Sequence, residues 1–352
     1  MQITQLLRWV KSPIVSRRRK AIRRLVKNSL RDPTKVDEIF NMVLEGTNDP
    51  DESVRITAIK SLVELSLTYQ RFLPDVMDTL LKMFEDDSPQ VKSVVLNGLA
   101  KIISVNKELF NDNVQSIVEV GLNSPDTNVR IAALNSLAII ANFNTDVLLK
   151  NLETVLSCME DPNPLVRRNS IEALLTSVDL LSDADIAKIW NILLSALKDP
   201  SCEVRKNALE FLHKLLEKEK MELNDNVINE IRKKLRDDAV PVKSEALALV
   251  SKLIDKNPYL ADKFLDIISR ESLLKEKNLN FKLQVLEFLK ESVKKIPSSI
   301  LNRHNIPRSL DIVEKNTVPK SPKREKIKRL ARYILEDLLG YTYEIRKKMW
   351  GS

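Results

Sequence analysis

Few residues in this chain are of the types that do chemistry. The histidines are His213 and His304, and the cysteines are Cys158 and Cys202. A zinc site takes four such ligands at short, regular spacings, and these four are too scattered to supply one. The acid pairs Asp86-Asp87 and Asp237-Asp238 could act as paired acids, but each stands at a turn signal, where a carboxylate accepts backbone N–H groups. No Gly-rich phosphate cradle, Gly-x-Ser-x-Gly elbow or lysine-serine nucleophile signature is present. Trp9, Trp190 and Trp350 are dispersed. No catalytic residue, metal or cofactor is expected, so the chain reads as non-enzymatic.

The elements that would position a site are helices. Hydrophobic residues make up 43% and charged residues 30%, the balance of a folded chain. With only 5 glycines and 5% aromatics among 352 residues, helices fit better than sheets. No apolar window is long enough for a membrane span. The opening MQITQLLRWVKSP lacks the apolar core of a signal peptide. A cytoplasmic protein with reduced thiols, one of them in the core, is the expectation.

A pattern recurs along the chain. A hydrophobic-basic pair appears at Val54-Arg55, Val91-Lys92, Val129-Arg130, Val166-Arg167, Val204-Arg205, Val242-Lys243 and Phe281-Lys282, with a degenerate first copy at Arg17-Arg18. The spacings are 37, 37, 38, 37, 38, 38 and 39 residues, a register that signals a solenoid. Six residues before each basic position stand Ser12, Asp49, Asp86, Ser124, Asp161, Asp199, Asp237 and Glu276. Short polar side chains there are expected to cap a helix or close a turn. Downstream, Val54, Ala58, Ile59 and Leu62, or Val129, Ala133, Leu134 and Leu137, form one apolar helix face. A second helical stretch precedes each turn, so every unit is a helical hairpin that needs a neighbour to cover it.

The Asp-Pro-x-x-x-Val-Arg-x-x-Ala signature resembles HEAT repeats over residues 1–296. The resemblance implies an all-α, right-handed alpha-alpha superhelix of about eight hairpins. It also implies a polar ladder between neighbouring repeats, carried here by Asp49/Arg55, Asp161/Arg167, Asp199/Arg205 and Asp237/Lys243. Second helices of such repeats line the concave face. HEAT-like hydroxylases bind iron through His-Glu pairs that this chain lacks, and HEAT-like DNA glycosylases use one Asp among aromatic walls. Residues 297–324 read as an irregular segment and linker. Residues 325–350 read as a basic amphipathic helix that caps the last repeat, binds a partner or lies on a membrane surface, with Trp350 completing its docked face.

Function is sought where the pattern breaks. Residues 1–30 carry nine Lys/Arg and no Asp/Glu, and residues 301–352 are net +7, leaving the stretch between them at −8. Arg17, Arg18, Arg19, Lys20, Arg23, Arg24 and Lys27 form either a polar end cap or a surface for phosphate or an acidic partner. The least buried positions of the second helices are expected two, three, six and seven residues after the valine. They place Ile56, Lys60, Val94, Asn97, Ile131, Asn135, Arg168 and Asn169 on a protein-binding face, and Phe211 on its continuation. The reading is a protein-interaction scaffold, possible within a chromosome- or nucleic-acid-associated complex. Direct binding of a DNA or RNA backbone by the basic first repeat is the alternative, and no stable membrane association is expected.

Overall fold

The structure, a computed structural model, describes residues 3–29, 32–220 and 222–339. All regular elements among these residues are helical. The chain divides into two compact units, residues 1–185 and residues 186–352.

In the first unit the hairpins are α1 (Ile3–Val10) with α2 (Val15–Ser29), α3 (Val36–Glu45) with α4 (Glu52–Thr68), and α5 (Leu73–Met83) with α6 (Pro89–Val105). Next come α7 (Asp112–Leu122) with α8 (Thr127–Ala141), then α9 (Asp146–Lys150) and α10 (Leu152–Cys158) with α11 (Pro164–Leu175). The second helices α2, α4, α6, α8 and α11 pack in sequence order, each on the one before. Their stripe of Val54, Ala58, Ile59, Leu62 and its equivalents is buried, apart from Arg17 at the start of α2.

Small residues let the two helices of a hairpin cross closely. A Cβ added at Gly121 would lie 2.9 Å from that of Ala133, and one at Gly46 would lie 3.2 Å from that of Ala58. This is the packing reason for the recurrent alanine four residues after the valine.

Each second helix begins two residues later than the acidic positions suggest. The N-caps are Asp51, Ser88, Asp126, Asn163 and, in the second unit, Asn278, whose side chains accept from N–H groups in the first turn. Of the two roles expected of Asp49, Asp161 and Asp199, capping a helix or closing a turn, the second is the one seen. Those carboxylates accept instead from the N–H two residues on, at 2.8–2.9 Å, and shape the turn itself.

The boundary between units falls in α12 (Asp183–Ala196), which pairs in sequence with α13 (Cys202–Glu217). Then follow α14 (Asp225–Lys234) with α15 (Val240–Lys256), and α16 (Leu265–Ile267), which runs into a π-helical stretch, Ile268–Lys275, before α17 (Leu279–Ser292). Residues 297–324, read from sequence as irregular, carry α18 (Ser298–Arg303) and α19 (Ile306–Asn316). Pro297 and Pro307 signal breaks, yet Pro307 sits in the first turn of α19, where its missing N–H costs nothing. Asn305 makes the left-handed step between the two helices, at φ 54°.

Finally α20 (Pro322–Leu339) packs on α17 and α19 through Ile327, Ala331, Ile334 and Leu335. Arg332 and Lys328 reach the buried carboxylate of Glu314 on α19, at 2.8 and 3.8 Å. Trp350 and the rest of the expected tail helix beyond residue 339 lie outside the described residues.

Cys158 is buried and Cys202 exposed. Burial, then the charge of Asp161, pushes the Cys158 thiol up to about 11, so it is protonated and unreactive at neutral pH.

Candidate functional site

The recurrent acid and base positions form a ladder whose rungs run between hairpins. Arg55 forks onto Asp86 of the next hairpin, Nε to Oδ2 at 2.7 Å and Nη2 to Oδ1 at 3.0 Å. Its Nη1 donates to the carbonyls of Asp49 and Pro50 in its own turn, at 2.9 and 3.1 Å. One guanidinium thus fastens two turns at once, a use that suits the planar fork of arginine. Arg18 does the same with Asp49, Arg130 with Asp161, and Arg205 with Asp237. Lys243 pairs with Glu276. Arg167 holds the carbonyls of Asp161 and Pro162. The pairs Asp49/Arg55, Asp161/Arg167 and Asp199/Arg205 within a repeat share backbone contacts, while the carboxylate-guanidinium bonds reach 31 or 32 residues away.

These rungs set a pH response. Burial pushes the Asp86 carboxyl up, but bonds from Arg55 and the Ser88 N–H, with the charges of Arg55 and Lys92, outweigh it and hold the group below its ordinary value. Asp237 is held down in the same way by Arg205 and the Ala239 N–H, and Glu276 by Lys243 and the Asn278 N–H. A carboxyl depressed in the folded state contributes stability above its unfolded pKa of about 4 and loses it as pH falls through the lower folded value. Melting temperature should therefore stay level from neutral pH down to about 5 and fall below about 4. A pH series of thermal melts checks this, and a Tm that rises on acidification contradicts it.

The ladder removes Arg18 from the phosphate-binding set, since its guanidinium is taken by Asp49 and by the carbonyls of Ser12 and Pro13. The remaining cations of α2 cover its solvent side. Arg17, Lys20, Arg23, Arg24 and Lys27 are exposed, and Arg19 is half-buried beside Thr57. Arg17 and Lys20 both sit 5.8 Å from the ring centroid of Trp9 on α1, within cation–π range.

The open face of the second helices is narrower than the sequence implies. Positions three and seven after the valine are covered by the preceding hairpin, as at Thr57, Ser61, Ala132, Ser136, Asn169 and Ala173. Ser136 Oγ reaches the Leu96 carbonyl at 3.1 Å, and Asn169 Nδ2 reaches Asn135 Oδ1 at 2.9 Å. Asn169 is only 4% exposed and so leaves the proposed binding face, and Phe211, at 0%, belongs to the core. Positions two and six remain open. Ile56, Ile131 and Arg168 are half-buried, and Lys60, Asn97 and Asn135 are exposed. Val94, at position three of the third hairpin, is half-buried and borders the same face. In the first hairpin no helix pair precedes α2 among the described residues, which is why Lys20 and Arg24 at these positions are exposed.

Each histidine pairs with a carboxylate. His213 Nδ1 lies 3.1 Å from Glu245, and His304 Nε2 lies 2.8 Å from Asp262, which Arg303 also holds. Among the described residues no three His, Cys, Asp or Glu side chains gather to hold a metal ion. Among the same residues no helix is long and apolar enough to cross a membrane.

Comparison with known proteins adds the family. A model of the non-SMC mitotic condensation complex subunit 1 matches residues 182–303, and a HEAT-repeat model matches residues 39–69. A model of a HEAT repeat associated with sister chromatid cohesion matches residues 72–97 and 136–174. No curated protein sequence matches. Among solved structures, a chain from the complex of Kap95p with RanGDP has a TM-score of 0.66 at 13% identity, over 99% of this chain and 48% of that one. YibA of E. coli gives 0.56 at 19% identity, over 84% of this chain and 92% of that one. An engineered protein gives 0.52 at 14%, over 96% of this chain and 99% of that one. At such identities the structures share the fold alone. The cytoplasmic assignment is corrected by the condensation and cohesion models, which point to association with chromosomes. The ladder, the stacked hairpins and these matches together make the chain a HEAT-repeat protein, similar over parts of its length to the condensation- and cohesion-associated models.

Proposed function

We propose that this scaffold holds a partner protein on the open face of α4, α6 and α8. The observation that carries the reading is the run of half-buried Ile56, Val94 and Ile131 on three consecutive, mutually packed helices, with Lys60, Asn97 and Asn135 exposed beside them. Branched apolar side chains can bury a partner's stripe, and amides and a cation can satisfy its polar rim. Arg168, which lies near Glu172 at 3.7 Å, extends the polar side of that face on α11.

Co-purification from the native cells after nuclease treatment tests it. A protein partner should survive nuclease and should be captured at least about tenfold less well by Ile131→Asp, because a carboxylate would be buried against its apolar stripe. The far-ultraviolet helical signal should not change. Equal capture by the two chains would contradict the face.

A second reading rests on a different observation, the exposed cations Arg17, Lys20, Arg23, Arg24 and Lys27 along the solvent side of α2. It supports contact with a nucleic-acid backbone, without base reading. Five phosphate contacts would weaken binding roughly 500-fold between about 50 and 200 mM salt. Replacing Lys20, Arg23 and Lys27 by serine should lower the slope of log affinity against log salt by about 2.7. An unchanged slope would remove the reading.

A further inference from the structure

The ladder has a gap, and the gap coincides with a cleft. The third hairpin carries Lys92 at the basic position, and the fourth carries Ser124 where its neighbours carry aspartate. Ser124 Oγ accepts the Asp126 N–H at 3.2 Å, which forms the turn, but the side chain is too short to cross to the previous hairpin. Among the described residues Lys92 makes no ion pair, and its ammonium stands 5.7 Å from the ring centroid of Phe84. Between the two turns lies a cleft of about 480 Å³, lined by Phe84, Lys92, Glu119, Val120, Ser124 and Pro125 among others.

A second departure from the repeat occurs at the same place. Nine residues before the valine, the first helices carry Glu45, Lys82, Ser157, Ser195 and Lys233. The fourth hairpin alone has an apolar residue there, Val120, and it is 59% exposed at the cleft. A lysine outside the ladder and an uncovered valine thus line one cleft, where five other hairpins close a rung, Arg18–Asp49, Arg55–Asp86, Arg130–Asp161, Arg205–Asp237 and Lys243–Glu276.

We propose that this cleft receives an acidic residue of a partner protein, whose carboxylate supplies the missing rung to Lys92 while an adjoining apolar side chain covers Val120. The array itself shows what a lysine in this register takes, since Lys243 is matched by Glu276 of the following hairpin. The opposite wall limits the occupant to one acid. Glu119 Oε1 is engaged by Gln115 and Asn151, at 2.9 and 3.4 Å, and its charge repels a second carboxylate. The inference rests on the protein-scaffold reading but uses a different surface, at the turns between paired helices and not on the open face of α4, α6 and α8.

The probe is a random peptide library displayed on phage and panned on the full chain, with the Ser124→Asp chain as counter-target. Ser124→Asp reproduces the residue that Asp49, Asp86 and Asp161 place in the same turn, so it is expected to fold and to close the rung from within. Selected peptides should share one acidic residue beside an apolar one. They should bind the Ser124→Asp and Lys92→Met chains at least about tenfold more weakly, with Ile131→Asp unaffected. Absence of enriched peptides, enrichment without an acid, or equal binding to Ser124→Asp overturns the proposal. Peptides lost with Ile131→Asp but kept with Ser124→Asp overturn it too, while leaving the open-face reading intact.

Discussion

Phe211→Ala is expected to cost about 3–5 kcal/mol of stability, measured by chemical denaturation of the full chain. Phe211 lies in α13 with 0% exposure, seven residues after Val204. The same position holds Ser61, Gly98, Ser136 and Ala173 in the first unit, but Phe211, Leu249 and Phe288 in the second. All seven are buried. Small side chains there let successive second helices approach closely, whereas a phenylalanine must be accommodated by filling the space between elements. Truncation leaves a ring-sized void that neighbours on several elements would have to collapse into. A loss below about 1 kcal/mol would mean that the position faces solvent after all.

Arg205→Ala is expected to cost about 2–4 kcal/mol. The side chains of Arg205 and Asp237 are 11% and 6% exposed, so removing the guanidinium leaves a nearly buried carboxylate without its main partner. The carbonyls of Asp199 and Pro200 lose a donor as well. The value falls below that for a fully buried pair because Asp238, the third partner, is 92% exposed, and a solvated contact contributes little. Arg205→Lys keeps the charge but not the fork and should lose less, about 1–2 kcal/mol. Acid sensitivity should also drop in Arg205→Ala, since Asp237 would no longer be held below its ordinary value. Equal stability of the three chains would deny the rung any energetic role.

What could be read from the sequence follows from what each residue reports. The valine-alanine-leucine stripe faces the partner helix of its own hairpin, so its spacing alone exposes it, and the period of the repeat follows. The second contact surface of each helix, toward the preceding hairpin, is built from Thr57, Ser61, Ser136, Asn169 and Ala173. These small or polar residues carry no hydrophobic signal, so position alone puts Asn169 on an open face; Phe211 does carry that signal, and its burial follows it. The ladder acids were legible as polar turn residues, but an aspartate does not reveal that its arginine lies in the previous hairpin. That same ambiguity placed Arg18 among cations free to meet phosphate. Helices α18 and α19 are hard to read because the repeat register fades after Pro297. The similarity to condensation- and cohesion-associated models had no signal in composition or spacing and came from the family matches alone.

The account depends on hairpins being fastened to their neighbours by carboxylate-guanidinium rungs, and a pair of double-mutant cycles on Arg55 tests that most directly. One cycle couples Arg55 with Asp86 of the next hairpin, and the other couples it with Asp49 of its own. The predicted result is a coupling of about 1.5–3 kcal/mol for Arg55 with Asp86 and under about 0.5 kcal/mol for Arg55 with Asp49. A larger coupling within the hairpin than between hairpins would contradict it.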